Sequence, residues 1–197
     1  TSMAAPHMAG VMALMKQAHP DLLPAELKSL VMGTAKTINA PNGPMYPLSR
    51  QGAGRVRVIS ALDAPLVSLP SSLSLGEVTI ESSKTMARSV ELRNISKVLL
   101  SLTVVFEGKP GLSMTGPATV EIAAGKVLPV DLRFKIKISA NTFKDSSTEL
   151  DGIVKFLSAG IEVFRVPVLV VANKVSQLKV ESLVVYSTSE ADADGAA

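Results

Sequence analysis

The chain has 197 residues, of which 47% are hydrophobic, so it can bury a core and is not globally disordered. It contains no cysteine, which excludes disulfides and thiolate metal sites. The net charge is +3 without a basic block, and the few aromatic residues are not interleaved with Lys and Arg, so nucleic-acid binding is not expected.

The N-terminal third has the pattern of helices and loops. Residues 2–18 are rich in Ala, Met and Leu, which are strong helix formers, and the sequence His19-Pro20 predicts the end of the helix. Up to Met15 this helix is apolar on nearly every side, which predicts burial on most faces. Its most apolar run, residues 8–15, is too short to cross a bilayer, so no transmembrane segment is predicted.

A second helix is predicted from Pro24 to about Gly33, because Pro suits the first helical position and Gly suits a helix end. Glu26 suits the positive end of the helix dipole. A loop is then predicted at residues 39–47, and a short helix at residues 56–62. The sequence Asp63-Ala64-Pro65 marks the end of this part, because Pro stops a helix.

From residue 66 onward the sequence alternates, as strands do. In residues 127–138 the apolar residues alternate with Asp131, Arg133, Lys135 and Lys137, which are predicted to form a solvated face. Short strands separated by Gly turns favour an antiparallel β-sandwich of fibronectin-III or immunoglobulin type. The predicted strands are residues 71–76, 87–94, 99–106, 118–123, 127–138, 152–157, 161–171 and 178–186.

The final residues, 187–197, combine Glu190, Asp192 and Asp194 with small residues. They are predicted to form a linker or a disordered tail. Their acidity is expected to serve solubility rather than metal binding.

Ser2 allows two interpretations. A nucleophilic serine needs a general base, donors for the oxyanion and a rigid mount, and a helix N-terminus supplies the mount and free N–H groups. On residue types alone the sequence favours an ordinary helix cap, because Ser is among the best N-cap residues. His7 fits a buried histidine bonded to a loop, and five residues along the same helix it is a poor proton acceptor for Ser2.

The stretch TSMAAPHMAG, residues 1–10, resembles the active-site serine motif of the subtilisin-like serine proteases, usually Gly-Thr-Ser-Met-Ala-x-Pro-His-Val-Ala-Gly. Met8 is the one departure from that pattern. The resemblance continues in HPDLLPAELKSLVMGTA, residues 19–35, and in QGAGRVRVISAL, residues 51–62. It implies that residues 1–65 are the C-terminal, helical segment of an α/β subtilase catalytic domain.

The resemblance implies that Ser2 is the nucleophile of a Ser-His-Asp triad and that its own N–H helps to form the oxyanion hole. In subtilisin the triad order along the chain is Asp, His, Ser, so both partners and the oxyanion Asn are expected upstream. His7 and His19 match other positions of the family pattern. The chain alone is therefore expected to be inactive, with its apolar first helix exposed. No metal or cofactor is expected in it, and calcium is expected at most upstream.

Residues 66–186 resemble the fibronectin-III-like domain that follows the catalytic domain in lactocepin-type and plant subtilases. The resemblance rests on LRNIS (92–96), TVEIAAG (119–125), DGIVKF (151–156) and RVPV (165–168). The predicted fold class is therefore α+β overall, a helical piece of a subtilisin-like domain followed by an all-β antiparallel sandwich.

These resemblances imply the C-terminal fragment of a secreted or cell-surface serine endopeptidase. Its partners would be polypeptide substrates and the upstream catalytic segment. The alternative is a non-catalytic interaction or spacer module of a cell-surface protein.

Overall fold

The computed structural model describes residues 2–137 and 147–175. Four helices come first: α1 (Ala4–Ala18), α2 (Pro24–Gly33), α3 (Leu48–Gln51) and α4 (Val58–Leu62). The strands are β1 (Leu66–Leu69), β2 (Leu73–Ile80), β3 (Ser83–Asn94), β4 (Leu100–Gly108), β5 (Leu112–Thr115), β6 (Thr119–Ile122), β7 (Val127–Lys137), β8 (Ser147–Ser158) and β9 (Ile161–Lys174). The predicted strand at residues 178–186 and the predicted tail at 187–197 lie outside the described residues.

The strands form two sheets, ordered β1-β3-β7-β5 and β2-β9-β8-β4-β6. Every pair is antiparallel except β2 with β9, which run parallel. The inner faces of both sheets contribute to one apolar cluster, as expected for a sandwich. The predicted α+β fold class is confirmed, with one parallel pair as an addition.

The alternation of β7 places its side chains as predicted. Val130, Leu132, Phe134 and Ile136 are buried, whereas the charged residues between them are exposed. Phe134 meets Phe106 edge to face, with ring centroids 5.7 Å apart, a favoured aromatic geometry. The sandwich core therefore follows directly from the period-two pattern of the sequence.

Two strands and one helix were not predicted. Strand β1 is buried at Leu66, Val67 and Ser68 in succession, because one face meets the sandwich core and the other meets the helices. Strand β5 and helix α3 are only four residues long. Strand β2 continues past its predicted end at Gly76, where φ is +79° and the register with β9 shifts. That glycine is therefore a bulge position and not a strand end.

Helix α1 packs through a narrow stripe. Val11 and Met15 are buried in a second apolar cluster with residues of α2, α4 and β1, while residues 4–10 are all exposed. The predicted burial of α1 on most faces is therefore wrong for this chain. The exposure expected of the chain alone is found, because in the described residues α1 packs mainly through Val11 and Met15. In the described residues, no helix is long and apolar enough to span a membrane.

Polar contacts join the helices to the sandwich. The Arg93 guanidinium of β3 lies 2.5 Å from the Glu26 carboxylate of α2, and the backbone N–H of Ser68 donates to Ser29 Oγ at 2.8 Å. Because Glu26, Ser29 and Ser68 are buried, these bonds satisfy groups that would otherwise be costly to bury. We call this set of contacts the junction.

Helix α3 and a glycine extend the junction. The N–H of Leu48 donates to Asp151 Oδ2 at 2.7 Å, and Asp151 also pairs with Lys109 Nζ at 3.0 Å. A Cβ atom at Gly33 would lie 2.1 Å from the Phe164 ring, so the close approach of α2 to β9 requires glycine. Helices α2 and α3 therefore contact the sandwich through specific polar bonds and close packing. The division of the chain into domains at residue 65 stays a prediction.

Candidate active-site segment

Ser2 is exposed and lies two positions before Ala4, the first residue of α1. The residue at the N-cap position is Met3, with φ −80° and ψ −30°, and no side-chain hydrogen bond caps the helix there. Because a capping serine accepts a first-turn N–H through its side chain and no such bond is present, Ser2 does not act as the cap that residue types alone favoured. Its hydroxyl is accessible to a reacting partner.

The first turn of α1 provides an environment suited to a developing negative charge. The leading N–H groups of a helix have no intrahelical acceptor, and the helix dipole is positive at that end. The first turn contains no acidic side chain that would cancel this field, and Pro6 falls where its missing N–H costs nothing. These features match part of what an oxyanion site needs.

His7 forms its hydrogen bond within its own helical turn and not with Ser2. Its Nδ1 lies 2.6 Å from the carbonyl oxygen of Met3. A carbonyl can only accept, so Nδ1 is the donor in this bond. The alternative of a buried histidine bonded to a loop is wrong, because His7 is exposed and bonds within its own helical turn.

His19 lies at the opposite end of α1 from Ser2. Its Nε2 donates to the carbonyl of Leu62 at 3.0 Å, which ties the end of α1 to α4. Fifteen residues of helix separate the two ends, a length of about 22 Å. In the described residues, no hydrogen bond joins Ser2 to either histidine.

The core beneath α1 fixes the direction of its axis. Val11 and Met15 face Leu27, Leu30 and Ala61 in the second apolar cluster.

Helix α2 is capped by Glu26 of its own first turn, whose carboxylate accepts the N–H of Leu23 at 2.8 Å. The Leu23 side chain has no acceptor atom of its own. The sequence predicted only an interaction of Glu26 with the helix dipole. Its bond to Arg93 was not predicted, because Arg93 lies 67 positions further along the chain.

In the described residues, no group of three His, Asp or Glu side chains could hold a metal ion. Separately, the segment offers the exposed hydroxyl of Ser2 ahead of the first-turn N–H groups of α1.

A family profile and the curated relatives point to the same family. Residues 1–54 match the profile described as "Subtilase family". The chain is 31% identical over 197 residues to the minor extracellular protease Vpr of Bacillus subtilis (strain 168), covering 99% of this chain and 24% of that protein. It is 38% identical over 114 residues to the subtilisin-like protease SBT3 of Solanum lycopersicum, covering 49% of this chain and 14% of that protein.

Among solved structures, tripeptidyl peptidase 2 aligns over 87% of this chain and 16% of its own, at a TM-score of 0.48 and 17% sequence identity. The chain spans about a quarter or less of the length of the curated relatives given above.

Proposed function

Since the N-terminal part of this chain belongs to the subtilase family, we propose that the chain is the C-terminal part of a larger subtilisin-like serine endopeptidase and carries its nucleophile, Ser2. The triad His and Asp and the oxyanion Asn would come from a preceding segment. We call that longer protein, this chain included, the full-length protease.

One observation supports the proposal above all. Ser2 is an exposed serine at the start of α1 that makes no capping bond, within a motif that matches the family at nine of ten positions. A serine kept for helix stability would cap the helix, since that is where the stabilisation comes from. An accessible hydroxyl beside helix N–H groups is what acyl transfer requires.

The exposed apolar surface of α1 supports the proposal that α1 packs against the preceding segment. Met3, Met8 and Leu14 are all exposed, and the small side chains between them are exposed as well. A patch of this kind normally meets another protein surface. In the full-length protease that surface would be the rest of the catalytic domain.

The substrates would be polypeptides, as for proteases in general. A secreted or cell-surface location is proposed because the name of the Bacillus relative describes an extracellular protease. The sandwich would act as an accessory domain, attached to the catalytic segment by the contacts of the junction.

A fluorophosphonate probe tests the proposal on the chain of residues 1–197. The probe forms an Oγ–P bond with an activated serine and expels fluoride, which requires a base to take the hydroxyl proton. We expect the chain alone to stay unlabelled under conditions that label trypsin, the positive control, completely. Stoichiometric labelling of the chain alone would contradict the proposal that its base lies elsewhere.

A further inference from the structure

A groove lies where the helical part meets the start of β9. It encloses about 750 Å³. Four cationic residues line it, namely Lys36, Arg55, Arg57 and Arg165. Grooves between packed units are common ligand sites.

Two of these cations face each other directly. The N–H of Lys36 donates to the carbonyl of Arg55 and the N–H of Arg55 donates to the carbonyl of Lys36, both at 2.8 Å. In such an antiparallel pair the two side chains leave the backbone on the same side. Like charges directly opposite each other are destabilising, so this pair has a cost that the fold itself does not explain.

A third cation joins them through strand geometry. Arg57 has extended backbone angles, and residues two apart in an extended segment share a face. Val56, between the two arginines, packs against the apolar cluster of the helices, so Arg55 and Arg57 face the groove. Gly54 permits the close pairing, because a Cβ there would lie 2.3 Å from the Lys36 carbonyl oxygen.

The anions nearby leave this charge largely unbalanced. Glu162 is engaged by Arg165 and lies 3.5 Å from Lys155. Arg165 also donates to Thr37 Oγ1 at 2.6 Å. Among the described residues, no carboxylate lies within 4.0 Å of the charged groups of Lys36, Arg55 or Arg57. Asp63 is the other acid that lines the groove.

The chemistry of the groove favours an acidic polypeptide as its ligand. Guanidinium groups bind carboxylates in a bidentate fashion. Ile161, with 71% of its surface exposed, offers an apolar contact beside the cations. Glu162 and Asp63 also line the groove, and their negative charge repels a dense polyphosphate more strongly than carboxylates spaced along a peptide.

We propose that this groove, the basic groove, binds an acidic segment of a polypeptide through Lys36, Arg55 and Arg57. A ligand carboxylate between Lys36 and Arg55 relieves their mutual repulsion. Binding requires no residue of the Ser2 segment, so it holds or fails separately from the proteolytic function.

The probe is a fluorescent peptide of alternating Glu and Ala, titrated with the whole chain and followed by anisotropy at low salt. Arg55→Gln with Arg57→Gln is expected to weaken binding at least about tenfold, because each charge-assisted bond contributes roughly that factor. The control, Arg133→Gln with Lys135→Gln, removes the same charge from the solvated face of β7 and should leave binding within about twofold. Equal losses in both double variants would overturn the site.

Lys36→Glu separates ligand binding from folding. It turns the like-charged pair with Arg55 into an opposite-charged one, so the melting temperature should rise by about 1–3 °C while peptide binding is lost. A lower melting temperature together with retained binding would overturn the proposal. Tripolyphosphate binding as tightly as the peptide would overturn the choice of an acidic polypeptide as ligand.

Discussion

In the full-length protease, Ser2→Ala is expected to lower kcat for peptide hydrolysis by about 10⁴- to 10⁶-fold, the upper value being the known loss on removing the nucleophile of the subtilisin triad itself. Alanine has no atom that can form the acyl-enzyme, so what remains is catalysis by the oxyanion donors and by substrate binding alone. KM should change little, because the hydroxyl acts mainly in the transition state. Steady-state hydrolysis of a peptide substrate at saturation measures both constants.

Stability separates the catalytic role of Ser2 from a structural one. Ser2 is exposed and makes no capping bond, so the Ala variant should keep its free energy of unfolding within about 0.5 kcal/mol. Loss of a true N-cap would cost about 1 kcal/mol. Ser101→Ala, at an exposed serine of β4, is the matched control and should retain full activity. Wild-type turnover in the Ser2 variant would remove Ser2 from the mechanism.

The second large effect is expected at the junction. Arg93→Ala should lower the free energy of unfolding of the chain by about 2–3 kcal/mol, because it leaves the Glu26 carboxylate buried with the Leu23 N–H as its remaining donor. The value falls below that for a fully buried pair because 41% of the Arg93 side chain is exposed. Urea denaturation followed by circular dichroism measures the loss.

Two further variants show whether the cost comes from the orphaned charge. Arg93→Ala combined with Glu26→Gln should recover most of the loss, since a neutral amide is less costly to bury and still accepts from Leu23. Arg133→Ala, on the solvated face of β7, should change the free energy of unfolding by less than about 0.5 kcal/mol. If Arg93→Ala were as mild as Arg133→Ala, the junction would not depend on this pair.

Local patterns predicted most of the fold. Helix α2 has the predicted bounds, Pro24–Gly33, because its ends are marked by Pro and Gly. Strand β7 follows from strict alternation. Strand β1 could not be recognised in this way, because it is covered on both faces and does not alternate. The parallel pairing of β2 with β9 depends on residues about a hundred positions apart, for which one sequence holds no local signal.

In the candidate site, too, local features were predicted and contacts between distant residues were not. The motif around Ser2 predicted its place at the start of a helix, but its residue types wrongly favoured a cap. Met3 takes that position in the structure. The junction pair Glu26–Arg93 and the facing cations Lys36 and Arg55 were not predicted, because each brings together residues from separate segments. The spacing of these residues along the sequence does not indicate that they meet.

The most direct test of the central proposal is to locate the residue that a fluorophosphonate modifies in the full-length protease. After complete inactivation, trypsin digestion and mass spectrometry should place the adduct on Ser2, within the peptide that ends at Lys16. The label should be absent from every other serine of the chain. Complete inactivation with an unmodified Ser2 would show that the nucleophile lies elsewhere.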